Sequence, residues 1–124
     1  MALILIIEDD DQTRGVIKLM LEREGYEVLE AGDGLEGIKL FRENAIDLII
    51  TDIIMFEKDG VTTIVEIRKD SPNAKIIAIS GGARVGPEVY LQLADKVGAD
   101  RTLTKPIDRK ELLSTIDELL NPKR

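Results

Sequence analysis

Apolar and polar positions alternate in two rhythms along this chain. Runs rich in Ile, Leu and Val fall at residues 3–7, 26–31, 46–51, 75–79 and 101–104. The first, third and fourth are apolar on consecutive positions, as expected of parallel strands covered on both faces. Helical spacing fills the gaps: Val16, Ile17, Met20 and Leu21, then Leu35, Ile38 and Phe41, then Val61, Ile64 and Val65. Val89, Leu93 and Val97 continue the series, and Leu112, Leu113, Ile116, Leu119 and Leu120 close it. Capping signals agree with this division. Gly25 ends the first helical stretch, Gly86-Pro87 opens the fourth, Asp108 is placed to cap the fifth, and Asn121-Pro122 stops it. Five strand–helix units predict an α/β fold, (βα)5, with a doubly wound parallel sheet. Crossovers are right-handed and helices must cover both faces. The more polar second and fifth strands, with Glu27, Glu30, Arg101 and Thr102, suit the edges. The flavodoxin-like order 2-1-3-4-5 meets these conditions.

Composition narrows the chemistry. A length of 124 residues has room for one domain, residues 1–124, and 44% apolar residues suffice for its core. Seventeen basic against 24 acidic residues give a net charge of −7, the wrong sign for non-specific nucleic-acid or anionic-membrane binding. There is no cysteine and no histidine, so thiolate zinc sites, Cys nucleophiles and His bases are excluded. Carboxylates, hydroxyls, lysines, backbone groups and a bound ion remain. The apolar run at residues 2–7 is too short for a signal peptide and lacks a basic flank, and no run approaches the ~20 residues of a bilayer span. A soluble, cytoplasmic chain is expected.

In an open α/β sheet ligands bind beyond the carboxyl ends of the strands. Those ends carry Glu8-Asp9-Asp10, Asp52, Ser80 and Lys105-Pro106. In the order 2-1-3-4-5 they share one rim. Two carboxylates ~4 Å apart repel by about 1 kcal/mol in water and about 4 kcal/mol at an effective dielectric of 20. Either a proton is kept or a cation sits between them. Oxygen ligands without His or Cys favour Mg2+. Such an ion beside a lysine and a hydroxyl suits a phosphoryl group, and Asp52 could be the carboxylate nucleophile that takes it. Each residue also has a plainer role: Asp10 or Asp11 as a helix cap, Asp52 in a turn, Ser80-Gly81-Gly82 as a loop, Lys105-Pro106 as a lead into a helix. Caps and turns do not require acids, hydroxyl and ammonium together on four strand ends.

The set resembles a response-regulator receiver domain of two-component signalling, of the stand-alone type, over essentially the whole chain. The resemblance rests on Glu8-Asp9 after LILII, Asp52 within DLIITDIIM, Asp59-Gly60, Ser80 after KIIAI, and Lys105-Pro106 after GADRTLT. It implies Asp52 as phosphoacceptor, with Mg2+ held by Asp9 directly, by Glu8 through water, by Asp52 and by the backbone carbonyl of Ile54. Ser80 would bond a phosphoryl oxygen and Lys105 pair with its charge, before a peptide to Pro106 that is usually cis. A phosphohistidine on a sensor histidine kinase or histidine phosphotransfer protein would be the donor, making the chain a signalling receiver rather than an enzyme. No output segment follows Arg124 within this sequence, so a separate protein would receive the signal. The expected state is a monomer or weak homodimer.

Some positions depart from the family pattern. Phe56 stands where proline is usual, and Thr102 where an aromatic normally turns inward as the hydroxyl moves. Phosphorylation adds charge and acceptor oxygens, so the response is expected in residues 81–97, beginning at the easily reshaped Gly81-Gly82, with little from Thr102. Ile54 and Gly82 offer no polar side chain to orient water, which predicts slow self-hydrolysis. Two rivals exist: a phosphatase or phosphotransferase of the haloacid-dehalogenase type, which wants a second aspartate where Ile54 stands, and a pseudo-receiver that binds without being phosphorylated.

Overall fold

Strands β1 (Leu3–Ile7), β2 (Glu27–Ala31), β3 (Leu48–Asp52), β4 (Ile76–Ser80) and β5 (Arg101–Thr104) form one sheet in a computed structural model. Its order is β2-β1-β3-β4-β5, with every adjacent pair parallel. The flavodoxin-like order expected from the pattern is the one found, with the two more polar strands at the edges. Among the described residues the helices are α1 (Asp11–Arg23), α2 (Gly34–Glu43), α3 (Gly60–Asp70) and α4 (Arg109–Leu120). The structure describes residues 2–53, 60–80 and 98–121. Ile54, Phe56, Asp59, Gly81, Gly82, Pro122 and the helical stripe of Val89, Leu93 and Val97 lie outside them.

Because side chains alternate across a strand, the sheet has two cores. On one face Leu5, Ile7, Ile49, Ile76 and Ala78 pack with Ile38 of α2 and with Ile64 and Ile67 of α3. On the other Ile4, Ile6, Leu48, Ile50, Ile77 and Ile79 meet Ile17 and Leu21 of α1 and Leu112, Ile116 and Leu119 of α4. The central strands are buried along their length, which is why their sequence is apolar without alternation.

The helix ends follow the residues that cap them. Asp10, Asp33 and Asp108 accept from the backbone N–H groups of Thr13, Glu36 and Glu111 and so start α1, α2 and α4. At the end of α1 Gly25 adopts φ +90°, donates to the Glu22 carbonyl, and leaves Tyr26 to donate to that of Leu21. These paired bonds need a left-handed residue between them, where glycine alone carries no Cβ penalty. Tyr26 is thus spent on the helix stop, and β2 begins one residue later than its apolar run. Two members of the predicted helical stripes face outward: Val16 is 54% and Leu35 57% exposed. In α1 the pair Ile17 and Leu21, one turn apart, covers the sheet and turns Val16 to the rim.

Candidate functional site

The carboxyl ends of β1, β3, β4 and β5 converge as the strand order requires. Glu8 follows β1, with its N–H donating to the Ala31 carbonyl of β2 at 3.0 Å. Asp52 ends β3, paired in register with Ile79. Ser80 ends β4, and its carbonyl accepts from the Lys105 N–H at 2.8 Å, which fastens the start of the loop after β5. Carboxylate oxygens of Glu8, Asp9 and Asp52 lie within 4.8 Å of one another. Lys105 Nζ donates to Asp52 Oδ2 at 2.7 Å and stands in ion-pair contact with Glu8 Oε1 at 2.8 Å. The Lys105–Pro106 peptide is cis.

Among the described residues one ammonium is shared by two buried acids of the site. Glu8 and Asp52 are 2% and 5% exposed. Burial raises the Glu8 carboxyl from 4.5 to about 7; Lys105 opposes the rise and the Asp52 charge adds to it. Burial thus favours the protonated form of Glu8 over a wider pH range than for a free carboxyl. Burial disfavours the Lys105 charge, yet the hydrogen bond to Asp52 and the two carboxylates outweigh it and hold that pKa above its ordinary value. Three hard oxygen donors at this spacing fit a small divalent cation, which would let Glu8 ionise.

Ser80 supplies a second sign of incompleteness. The residue is fully buried, and its Oγ has no hydrogen-bond partner among the described residues. Leaving a buried hydroxyl unpaired typically costs about 1–3 kcal/mol. Thr102 lies half-buried on β5 opposite Ala78, two positions before the residue that pairs with Ser80. Of the residues expected at the site, Glu8, Asp9, Asp52, Ser80 and Lys105-Pro106 stand at its strand ends, while Ile54, Gly81 and Gly82 lie outside the described residues.

One contributor escaped the sequence reading. Arg14 of α1 donates from Nη1 to the Glu8 carbonyl at 2.7 Å. The available signal was a basic residue at the N-terminal end of a helix, where the macrodipole favours acids.

The family model for the response regulator receiver domain matches residues 4–117. The chain belongs to that family. As a receiver domain it is a signalling module of two-component systems and not a conventional enzyme. It is 33% identical over 117 residues to the transcriptional regulatory protein GlrR of Escherichia coli, a match covering 94% of this chain and 26% of that protein. The receiver chain thus spans about a quarter of the length of that relative. The chemotaxis protein CheY of Halobacterium salinarum is 30% identical, with 94% of this chain and 95% of that protein covered. A receiver domain protein from Clostridium thermocellum superposes with a TM-score of 0.90 at 36% identity, covering 98% and 95% of the two chains. TrrA of Thermotoga maritima, solved in complex with Mg2+ and BeF, gives 0.86 at 32% identity over 97% and 100%.

Proposed function

We propose that Asp52 accepts a phosphoryl group from a phosphohistidine on a sensor histidine kinase or histidine phosphotransfer protein, within a single receiver domain formed by residues 1–124. The observation that carries this reading is the ammonium of Lys105 bridging two buried carboxylates, with the buried Ser80 hydroxyl, which has no partner among the described residues, at the next strand end. An Asp52 carboxylate oxygen attacks phosphorus. The bond from phosphorus to the donor imidazole breaks, and the imidazole leaves with its electron pair and takes up a proton. Asp52 becomes an acyl phosphate. Glu8, Asp9, Asp52 and the backbone carbonyl of Ile54 would hold Mg2+, which when bound supplies neutralisation of phosphoryl charge. Lys105 pairs with the incoming oxygens, and the Ser80 hydroxyl donates to one of them.

A hollow of about 580 Å³ opens beside Lys105 and Pro106, with Val16 and Ile107 as its apolar lining and Asp10 and Thr13 as polar groups. Among the described residues no helix is long and apolar enough to cross a membrane. The proposed receiver works in the cytoplasm as a monomer or weak homodimer, without nucleic acid. Drawing Ser80 toward the phosphoryl group would reshape the segment from Gly81-Gly82 through residue 97 for a partner protein, with Thr102 contributing little. Ile54 and Gly82 cannot orient an attacking water, so the acyl phosphate should decay slowly.

Incubation with acetyl phosphate and Mg2+, followed by intact mass, tests the assignment. One phosphoryl group should be gained, and Asp52→Asn should abolish the gain. No gain, or labelling that survives Asp52→Asn, would refute it.

A further inference from the structure

The guanidinium of Arg14 grips the peptide that joins the first two acids of the site. Nη1 donates to the Glu8 carbonyl at 2.7 Å, Nη2 pairs with Asp11 Oδ1 at 2.6 Å, and Nε donates to Glu30 Oε1 at 3.2 Å. Glu30 on β2 is steadied in turn by Lys18, whose Nζ lies 3.0 Å from its other oxygen. The Arg14 side chain is 17% exposed, whereas its partner Asp11 stands out in solvent.

A peptide unit is planar, so a carbonyl held at one point fixes the plane that continues to the next Cα. The Glu8 N–H is already tied to Ala31. With its carbonyl tied to Arg14 as well, the backbone from Glu8 into Asp9 has little freedom to turn. The direction in which the Asp9 carboxylate leaves the chain is set from behind. A planar five-donor fork can hold a carbonyl and two carboxylates at once, which a lysine ammonium cannot do in the same geometry.

The pairs with Asp11 and Glu30 favour the guanidinium charge, while a cation beside a site for a cation repels it. Neither effect requires the bond to the Glu8 carbonyl, and that bond is the contact that reaches the backbone of the acids.

We propose that Arg14 is a positioning residue, which aims Glu8 and Asp9 at the divalent cation by clamping the Glu8 carbonyl. The proposal rests on reading the acid cluster as a Mg2+ site. Calorimetric titration of Mg2+ into the metal-free full chain separates the possibilities. Both Arg14→Gln and Arg14→Lys should weaken Mg2+ binding on the order of 10-fold, the usual effect of losing a group that orients a ligand. Arg42→Gln, which removes the same charge from the distant Arg42–Asp70 pair between α2 and α3, should change it less than about twofold. In labelling by acetyl phosphate the half-saturating Mg2+ concentration should rise with the dissociation constant, and the rate at saturating Mg2+ should fall by less. A purely electrostatic role predicts the opposite sign, tighter binding in Arg14→Gln and no change in Arg14→Lys, and either result overturns the proposal. The lysine variant keeps both charge and stem, so it remains informative if the glutamine variant does not melt cooperatively. Absence of Mg2+ binding by the wild type would overturn the site reading and the proposal together, whereas wild-type binding with unaltered Arg14 variants overturns the proposal alone.

Discussion

Lys105 is shared between Glu8 Oε1 and Asp52 Oδ2, so removing it takes away the ammonium that both buried acids contact. Breaking one side of a buried pair typically costs about 3–5 kcal/mol, and Lys105 retains some solvent contact. Lys105→Met should therefore lower metal-free stability by about 2–4 kcal/mol near pH 8, as read by urea unfolding in EDTA; unchanged stability would show that the ammonium is not what holds the acids together. Glu8 gives a pH signature of definite sign. Its folded-state value of about 7 stands above the unfolded 4.5, chiefly through burial. Between those values the folded chain keeps a proton that the unfolded chain has released, so the Glu8 contribution is fully present below pH 4.5 and lost as pH rises through 7. Glu8→Gln imitates the protonated form throughout. In EDTA it should match the wild type at pH 4.5 and become the more stable protein above pH 7, by about 3 kcal/mol at ~1.4 kcal/mol per pH unit. A constant difference across that range would mean that Glu8 is not held protonated by its surroundings.

At the scale of elements, α2 approaches β1 closely at a glycine. A Cβ added at Gly37 would fall on the Cδ1 and Cγ1 atoms of Ile7, which is fully buried. Alanine favours a helix over glycine by about 1 kcal/mol, but overpacking a tight core costs about 1–3 kcal/mol. Gly37→Ala should lower stability by about 1–2 kcal/mol, and a gain in the thermal midpoint would show that Ile7 can turn aside. Periodicity could not have revealed this contact, since it marks which face of a helix is apolar and not how near that face sits. The same limit explains Val16 and Leu35. Both belong to apolar stripes in the sequence and both stand more than half exposed, because one helix covers a strip only about two side chains wide. Strand positions were more legible. Consecutive Ile and Leu in β1, β3 and β4 can be satisfied only by helices on both faces, and the acids at β2 and the polar residues at β5 then have only the edges left to them.

Across the whole molecule, a net charge of −7 is joined to a cluster of three acids at one end of the sheet. Most of that cluster was legible in the sequence, because residues at the carboxyl ends of adjacent parallel strands must meet once the strand order is known. Arg14 was not, since its role depends on a carbonyl of β1 and on Glu30 at the sheet edge, neither of which a hydrophobic pattern reports. The state of Ser80, buried with no hydroxyl partner among the described residues, likewise needs coordinates. Two causes could make this protein firmer in Mg2+: relief of general self-repulsion, which any salt provides by screening, or occupation of the acid cluster. They differ in magnitude and in what they depend on. A ligand that binds only the folded chain stabilises it by about 2.7 kcal/mol at 100 times its dissociation constant, which for a domain of this size raises the thermal midpoint by several degrees. Screening at matched ionic strength acts on the whole surface and is indifferent to one carboxylate in the cluster. Millimolar MgCl2 should therefore raise the midpoint well beyond NaCl of equal ionic strength, and Asp9→Asn should remove most of that excess while leaving the NaCl response in place. Equal gains from the two salts would assign the effect to the overall charge and leave the cluster without a cation to hold.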